Sequence, residues 1–204
     1  MSRLLVAIGI YSIIIVSAVL AFLYFDKDNV LDIEDGLNKV HQLDEALLSD
    51  HGTEGNEAGY DLNDNFVMMF RDIEETLTFF VAVLKEENFE YFSSLFVPQQ
   101  FANDLWNYSA TEPYLNNTEL KLIKELNRGG KLVTARFDTS LLDGYKRTRE
   151  ETDVKLYLIY EDGKEVELNL NFVLIGTQHN NKDEIYYIEN SILDIIDEVR
   201  KQIT

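Results

Sequence analysis

Cysteine is absent from this sequence of 204 residues. Thiols form disulfide bonds, bind zinc and iron–sulfur clusters, and act as nucleophiles in cysteine enzymes. The chain therefore has no disulfide framework, no cysteine-based metal centre and no thiol catalysis. Hydrophobic residues make up 46% of the sequence and aromatic residues 12%, which is enough to build a core and excludes wholesale disorder.

Basic residues are few, since 18 Lys and Arg stand against 37 Asp and Glu, giving a formal net charge of −19. A nucleic-acid-binding surface needs a basic patch to neutralise phosphates, so this composition argues against a nucleic-acid partner. Carboxylates in such excess attract divalent cations loosely. We therefore expect calcium effects only in the millimolar range, without a built site.

Histidine is scarce as well, with only His41, His51 and His179. None has a second histidine at a spacing typical of metal ligands, so each is interpreted as a solvent-exposed residue. The polar segments 49–59 and 61–65 do not provide the ligand frame of a calcium-binding EF-hand loop. We predict neither a metal site nor a cofactor.

Catalytic motifs are also missing. The chain contains no G-x-S-x-G elbow and no phosphate-binding G-x-x-x-x-G-K loop, and Arg128–Lys131 is more simply a turn into a strand. Asp138, on the same strand face as Arg136, would be a candidate general base if that face lined a cavity. A solvated or salt-bridged Asp138 is the favoured interpretation, and we predict no catalytic residue.

One long hydrophobic run is present, from Leu4 to Phe25, without charge or proline. As a helix, these roughly 22 residues would extend about 33 Å, enough to cross a hydrocarbon core of about 30 Å. The run is longer than the apolar region of a cleaved signal peptide, which favours an uncleaved signal-anchor. Cleavage after Val19–Ala21 is the alternative left open.

The orientation of this span follows from its flanks. Arg3 and the short tail before the span are easily left in the cytoplasm, while the acidic remainder is translocated. We therefore expect a single-pass membrane protein with a cytoplasmic N-terminus and an extracytoplasmic domain. Outside the span and tail lie 17 basic and 37 acidic residues, a formal charge of −20, which anionic lipid would repel.

Three regions are predicted along the chain: residues 1–25 as tail and anchor, 26–63 as juxtamembrane helix and flexible acidic linker, and 64–204 as an extracytoplasmic domain. Apolar residues between 26 and 49 recur at spacings of three and four, which indicates an amphipathic helix weakened by Gly36. That helix packs on the domain or on lipid headgroups in the favoured interpretation. A coiled-coil seam is the alternative, and Asp44 would interrupt it.

The first part of the domain has helical periodicity. A long helix is predicted from Phe66 to Lys85, interrupted at Asn88, then a short helix over Phe89–Val97 ended by Pro98. Two further short helices are predicted over Gln99–Asn107, which carries the single tryptophan, and over Thr118–Leu126 with Thr118 as cap.

The second part alternates with a period of two, which predicts strands over 131–138, 154–160, 164–175 and 184–189. A three-residue turn with Gly163 in the left-handed conformation would pair Leu158 with Val166 and Leu156 with Leu168, keeping both apolar faces on one side. Ser191 and Asp194 resemble a capping box that begins a terminal amphipathic helix. Four tyrosines in the predicted strands are interpreted as core residues, and an exposed interface patch is the less favoured alternative: Tyr157, Tyr160, Tyr186 and Tyr187.

Helices followed by antiparallel strands are typical of an α+β fold, with the helices packed on one face of a curved sheet. The opening Glu74–Pro98 resembles the long helix, small turn and short helix that begin members of the NTF2-like superfamily, and the strands that follow extend the similarity over about residues 64–190. The resemblance implies a cone of helices on a bent antiparallel sheet. The terminal helix departs from the simplest members.

NTF2-like ectodomains on a single span also occur in assembly subunits of type IV secretion and conjugation channels, and uncharacterised Gram-positive envelope proteins share the layout. The resemblance therefore implies a membrane-anchored, non-catalytic interaction or assembly module of a bacterial cell envelope, partnered by another envelope protein. A homo-oligomer is left open. The alternative is a small acid/base enzyme or small-ligand binder with a pocket inside the cone.

Overall fold

A five-stranded antiparallel sheet lies at the centre of the described part of the chain. The computed structural model describes residues 29–50, 70–111, 117–138, 151–176 and 184–203. Its strands follow one another in sequence order across the sheet, and they are β1 (Asn29–Val30), β2 (Leu132–Asp138), β3 (Glu151–Tyr160), β4 (Glu165–Ile175) and β5 (Ile185–Ile188). Six α-helices in the same residues pack with this sheet, which confirms the α+β class.

The register between β3 and β4 is the predicted one. Leu156 pairs with Leu168 and Leu158 pairs with Val166. Gly163 has a φ of +74°, and its N–H donates to the carbonyl of Tyr160 at 2.9 Å, closing the three-residue turn. A left-handed conformation favours glycine because it has no Cβ, so this turn is encoded locally.

This register separates an apolar from a polar face of the sheet. Even-numbered residues of β3 from 154 to 160 and of β4 from 166 to 172 are at most 1% exposed and point toward the helices. Odd-numbered residues of the same strands are largely polar and at least partly exposed. The hydrophobic core therefore lies between the sheet and the helices.

The helices of the described residues are α1 (Ile33–Asp50), α2 (Ile73–Glu86), α3 (Phe89–Phe92), α4 (Pro98–Thr111), α5 (Thr118–Leu126) and α6 (Ile192–Ile203), with a 3₁₀ turn over Ser93–Leu95. Helix α2 is the central one. Its residues Phe79–Leu84 are completely buried, so it is surrounded by other elements on all sides. An all-round apolar helix of this kind belongs in the core of a domain.

Several helix ends differ from the predicted ones. Helix α2 begins at Ile73 and not at Phe66, because the Asp72 carboxylate accepts the N–H groups of residues 74 and 75 as a cap. Pro98 is the first residue of α4, where its missing N–H costs nothing. The N-cap of α5 is Asn117, with a φ of +69°, and not Thr118.

The region predicted as a single short helix over Phe89–Val97 is also interrupted. The α-helix ends at Phe92, a 3₁₀ turn follows, and Phe96 is extended. The backbone N–H of Val97 donates to the carbonyl of Ile188 at 3.0 Å, next to an isolated bridge between Phe96 and Ile188. Tertiary pairing with β5 therefore replaces the last helical turn.

Residues before the predicted domain contribute to its core. Strand β1, which the sequence did not predict, pairs with β2, and the Leu31 N–H donates to the carbonyl of residue 135 at 2.9 Å. Helix α1 packs on α2, and its Ile33, Val40 and Leu43 are buried. The helix predicted between residues 26 and 49 therefore packs on the domain, which is one of the two arrangements that the favoured interpretation allowed.

Two contacts of α1 account for Gly36, which weakened the predicted helix, and for Asp44, which would interrupt a coiled-coil seam. A Cβ atom on Gly36 would lie 2.7 Å from the carbonyl oxygen of Thr78 and 2.9 Å from the Ala82 Cβ, so glycine allows α1 and α2 to approach closely. Asp44 accepts a hydrogen bond from the Tyr91 hydroxyl at 2.8 Å. The acid that would interrupt a coiled-coil seam thus has a partner inside the domain.

The predicted span over residues 4–25 lies outside the described residues. The linker predicted from Ser49 lies outside them too, except for Ser49 and Asp50, which belong to the last turn of α1 instead. Across the ranges that the structure does describe, no helix is both long and apolar enough to cross a membrane. Segment 51–63 comes between α1 and α2 along the chain. Only residues 26–28 separate the predicted span from β1.

The position of α6 depends on a buried carboxylate from another helix. Asp104 of α4 is 4% exposed, and its Oδ2 accepts the N–H of Ile192, the first residue of α6, at 2.9 Å. The other oxygen, Oδ1, accepts from the Gln100 side chain at 3.1 Å. A capping box at Ser191 was predicted from the sequence, whereas this acceptor comes from a residue 88 positions away.

Candidate functional site

A cleft of about 640 Å³ opens on the surface between helices α4, α5 and α6. Its walls combine basic, acidic and apolar side chains, namely Tyr108, Lys121, Lys124, Glu125, Arg128, Val199, Arg200 and Ile203. The volume lies within the range of sites that bind small ligands or the side chains of a peptide.

The spacing of residues on α5 places its basic side chains on one wall. Lys121, Lys124 and Arg128 are three and four residues apart, so they lie on the same side of the helix and its C-terminal turn. The opposite side of α5 is buried in the core through Leu122 and Leu126. An amphipathic helix therefore presents a row of cations to the cleft.

Helix α6 provides the facing wall. Val199 and Ile203 are four residues apart and line the cleft together with the half-buried Tyr108, and Val199 is itself only 1% exposed. Arg200 follows Val199 on the exposed side of the helix. The lining of the cleft therefore combines apolar and charged side chains.

The lining carries four basic side chains and one carboxylate. Three further carboxylates, those of Glu87, Asp162 and Asp197, contact these basic groups, so the charges of the cleft and its immediate surroundings balance. The whole chain, in contrast, has a net charge of −19.

Ion pairs hold the arginines of the cleft in position. Arg200 contacts both carboxylate oxygens of Glu125 at 3.2 Å. Arg128 contacts both oxygens of Asp162 at 2.9 Å, and its guanidinium lies 4.8 Å from the centre of the Tyr160 ring. Two-point contacts of this kind fix the plane of each guanidinium group.

The pair at Asp162 also has a pH dependence of known sign. The hydrogen bond from Arg128 lowers the pKa of the Asp162 carboxyl below its usual range. A lowered pKa means that the pair stabilises the fold above the ordinary carboxyl pKa of about 3.9. That contribution is lost as the pH falls through the lowered pKa of Asp162.

This arrangement suits binding better than proton transfer. Both oxygens of the Glu125 carboxylate contact the Arg200 guanidinium, so this carboxylate is engaged in an ion pair and is not open to a substrate. Lys124 in turn lies 3.4 Å from Glu87, so three of the four basic side chains of the lining contact a carboxylate of the chain itself.

Asp138 and Arg136, weighed from the sequence as a potential acid/base pair, lie on the sheet face that points away from the helices. Arg136 contacts Glu165 at 2.8 Å and stacks 3.9 Å above the Tyr157 ring. The expected alternation is also shifted, because a β-bulge between Leu132 and Thr134 leaves Val133 exposed. This face does not border the apolar core.

The histidines give no metal centre in the described residues. His41 is exposed on α1, whereas His51 and His179 lie outside those residues. Within the ranges that the structure covers, no group of three His, Cys, Asp or Glu side chains is close enough to hold a metal ion. The acidic segments weighed as calcium loops also fall mainly outside the description.

The strand tyrosines differ in burial. Tyr160 is a core residue whose hydroxyl donates to the carbonyl of Leu126 at 2.7 Å, and burial raises its pKa. Tyr157, Tyr186 and Tyr187 are half-buried. The aromatic residue with the greatest exposure among the described large hydrophobic residues is Trp106 on α4, at 78%.

No protein-family model matches this chain, and neither a curated protein nor a solved structure matches it significantly. Inferences about its function therefore start from the sequence pattern and from the geometry of the cleft.

Proposed function

We propose that this chain is a non-catalytic interaction module of the bacterial cell envelope, anchored by residues 4–25 and exposed outside the cytoplasmic membrane. Its partner in this proposal is another envelope protein, and the contact is made through the surface of the domain.

The cleft between α4, α5 and α6 is the observation that carries the proposal. Its lining combines four basic side chains with the half-buried Tyr108 and Ile203, and three of these basic side chains are held in ion pairs. The carboxylate in the cleft is held by an arginine, which favours a binding role over an acid/base role. The exposed Trp106 on the neighbouring helix supports the same class, since tryptophan is enriched in protein interfaces.

The position of β1 determines how closely an anchored domain would lie to the membrane. Strand β1 begins at Asn29, and only three residues separate it from Phe25 at the end of the predicted span. In an anchored chain, the edge of the sheet would therefore be joined to the span by at most about 14 Å of extended backbone. The domain would sit at the membrane surface with a restricted orientation.

The packing of the sheet favours a surface function over the alternative of an enzyme with a pocket inside a cone. Such a pocket would need space between sheet and helices, where the side chains of β3 and β4 are apolar and at most 1% exposed. The buried Asn127 side chain has structural partners: its amide donates to the carbonyl of Leu84 at 2.9 Å, and its Oδ1 accepts the N–H of Gly130 at 3.0 Å. The NTF2-like resemblance itself stays a prediction.

A reporter enzyme that is active only outside the cytoplasm, fused after Thr204, tests the location of the domain. We expect activity in intact cells and a full-length protein that resists extraction from membranes by salt. The matched fusion to a chain lacking residues 1–25 should be inactive and found in the soluble fraction. An active cytoplasmic reporter at the same position, or a mature protein that begins near Phe22, would contradict the anchored topology.

A further inference from the structure

Helix α4 has an exposed side without charge. Its only charged residue is Asp104, and that carboxylate is buried, where it accepts the N–H of Ile192. The exposed side of the helix consists of uncharged residues, which we call the α4 face: Gln99, Ala102, Asn103, Trp106, Asn107 and Ser109. At 3.6 residues per turn, these positions cover about half of the helix circumference, with Trp106 near the middle.

This composition is unusual for the outer side of a helix. An amphipathic helix normally exposes charged residues. Each of the other described α-helices does so, through Glu34 of α1, Glu74 of α2, Glu90 of α3, Lys124 of α5 and Asp197 of α6. The α4 face instead exposes 78% of a tryptophan among amides. Few charges and an exposed aromatic residue are typical of the core of a protein–protein interface, where tryptophan often supplies much of the affinity.

The net charge of the chain indicates which partner fits this face. A basic protein would be attracted to carboxylates, which are abundant in the chain and absent from the α4 face. A lipid surface would require lysine or arginine beside the apolar groups, and the face has neither. A second copy of the chain carries the same charge of −19, so two copies repel each other unless they meet through an uncharged surface.

The side chains of the α4 face are also complementary to themselves. A two-fold symmetric contact brings the same patch of both copies together, so each group must fit a group of its own kind. Amide side chains meet this condition because each carries donors and an acceptor, and within one copy the Gln99 amide already donates to the Asn103 Oδ1 at 3.4 Å. Two indole rings can stack on each other. Charged groups of one sign would repel at the same positions.

We propose that the α4 face binds a second copy of this chain, in a two-fold symmetric dimer in which α4 packs against α4. Trp106 of each copy is buried near the symmetry axis, and the amides of Asn103 and Asn107 surround it. The cleft stays open in this dimer, because Tyr108, which lines it, lies on the opposite side of α4 from Trp106. This inference goes beyond the proposed function and does not depend on the anchor.

The size of the face predicts a weak dimer. Helix α4 has 14 residues and is therefore about 21 Å long. A contact through one helix face is at the low end of interface sizes, which are usually about 800 Å² per partner. We therefore expect a dimer that dissociates at micromolar concentrations, with Trp106 as the main source of affinity.

Sedimentation velocity of the full chain in density-matched detergent measures this association. We expect a dimer that dissociates on dilution. Trp106→Ala removes the central ring and Asn103→Glu places two carboxylates opposite each other, and each should weaken the dimer at least tenfold. Gln42→Glu makes the same change of charge at an exposed amide of α1 and should alter the dissociation constant less than twofold.

Three results of this experiment would overturn the inference. The first is a monomer at every concentration. The second is a dimer that either α4 variant leaves unchanged, which would place the contact elsewhere, for example in residues 4–25. The third is an equal loss in the Asn103→Glu and Gln42→Glu chains, which would reduce the effect to total charge. Both α4 positions are exposed, so the variants should keep the fold, and circular dichroism checks this.

The single tryptophan and the absence of cysteine allow the contact itself to be tested in the full chain. On association, the Trp106 emission should shift to shorter wavelength, and its quenching by acrylamide should fall at least twofold. Mild oxidation should link two Asn103→Cys chains, whereas Gln42→Cys chains should stay unlinked. A dimer with Trp106 as accessible as in the monomer, or equal linking at both positions, would refute the α4 contact.

The outcome is independent of the reporter experiment. A monomeric chain with the expected reporter topology would refute the dimer alone. It would leave the anchored module standing and assign the α4 face to a different envelope protein.

Discussion

A chain shortened to residues 64–204 should not fold cooperatively, whereas a chain of residues 26–204 should. The shorter chain lacks β1 and α1, and with them four buried apolar side chains: Leu31, Ile33, Val40 and Leu43. At about 1.5–3 kcal/mol each, their burial contributes on the order of 6–12 kcal/mol, which is comparable to the total stability of a typical domain.

Urea unfolding followed by circular dichroism checks this prediction. A single substitution tests the contribution of α1 within an intact chain. Val40→Asp would bury a charge against α2, whereas its control Gln42→Asp changes an exposed position of the same helix. Val40→Asp should remove several kcal/mol of stability and Gln42→Asp very little. Cooperative unfolding of residues 64–204 with the stability of the longer chain would show that α1 is not part of the core.

Replacing Gly36 by alanine should destabilise the fold by about 1–3 kcal/mol, the usual cost of overpacking a tight interface. Helix propensity alone predicts that the substitution would stabilise the fold, because alanine in the middle of an exposed helix is roughly 1 kcal/mol more favourable than glycine. The new Cβ would lie 2.7 Å from a backbone oxygen of α2, and backbone cannot rotate away as a side chain can. Packing should therefore outweigh propensity here.

The free energy of unfolding of Gly36→Ala in residues 26–204 measures this balance. Asn38→Ala, two residues along at an exposed position of α1, is the matched control and should stay within about 0.5 kcal/mol of the unchanged chain. A gain in stability for Gly36→Ala would mean that α1 and α2 do not approach as closely as the structure shows.

Local patterns predicted the sheet well. The register of β3 and β4 followed from two facts, the position of Gly163 and the need to keep Leu156 and Leu158 on the buried side. Both facts lie within about 20 residues of sequence, so no distant contact had to be known. The boundaries of α6 and β5 were predictable for the same reason.

Features that depend on distant contacts were not predictable. The two-residue strand β1 has no periodicity of its own, and it exists because the edge of β2 accepts its hydrogen bonds. The bulge that exposes Val133 and the Asp104 cap of α6 likewise arise from tertiary pairing. A sequence window contains no signal for contacts of this type.

The cleft was missed for the same reason. The spacing of Lys121, Lys124 and Arg128 was visible in the sequence and could have indicated a basic helix face. Nothing local indicated that α6 would bring Arg200 and Ile203 opposite that face. The site is formed where α4, α5 and α6 pack together. The acidic composition of the whole chain gave no indication of this local group of basic residues.

In the proposed topology, the predicted span leads directly into β1 at the edge of the sheet, where Asn29 pairs with Phe137, and the turn over Glu161–Gly163 at the opposite end of β2 is held away from the bilayer. Because the chain has no native cysteine, one fluorophore can be placed by Val30→Cys at the exposed position in β1 or by Glu161→Cys in that turn. In full-length protein in nanodiscs whose lipids carry a nitroxide quencher on the headgroup, we predict strong quenching at position 30 and little at position 161. Equal quenching at the two positions, or none at position 30, would contradict the account.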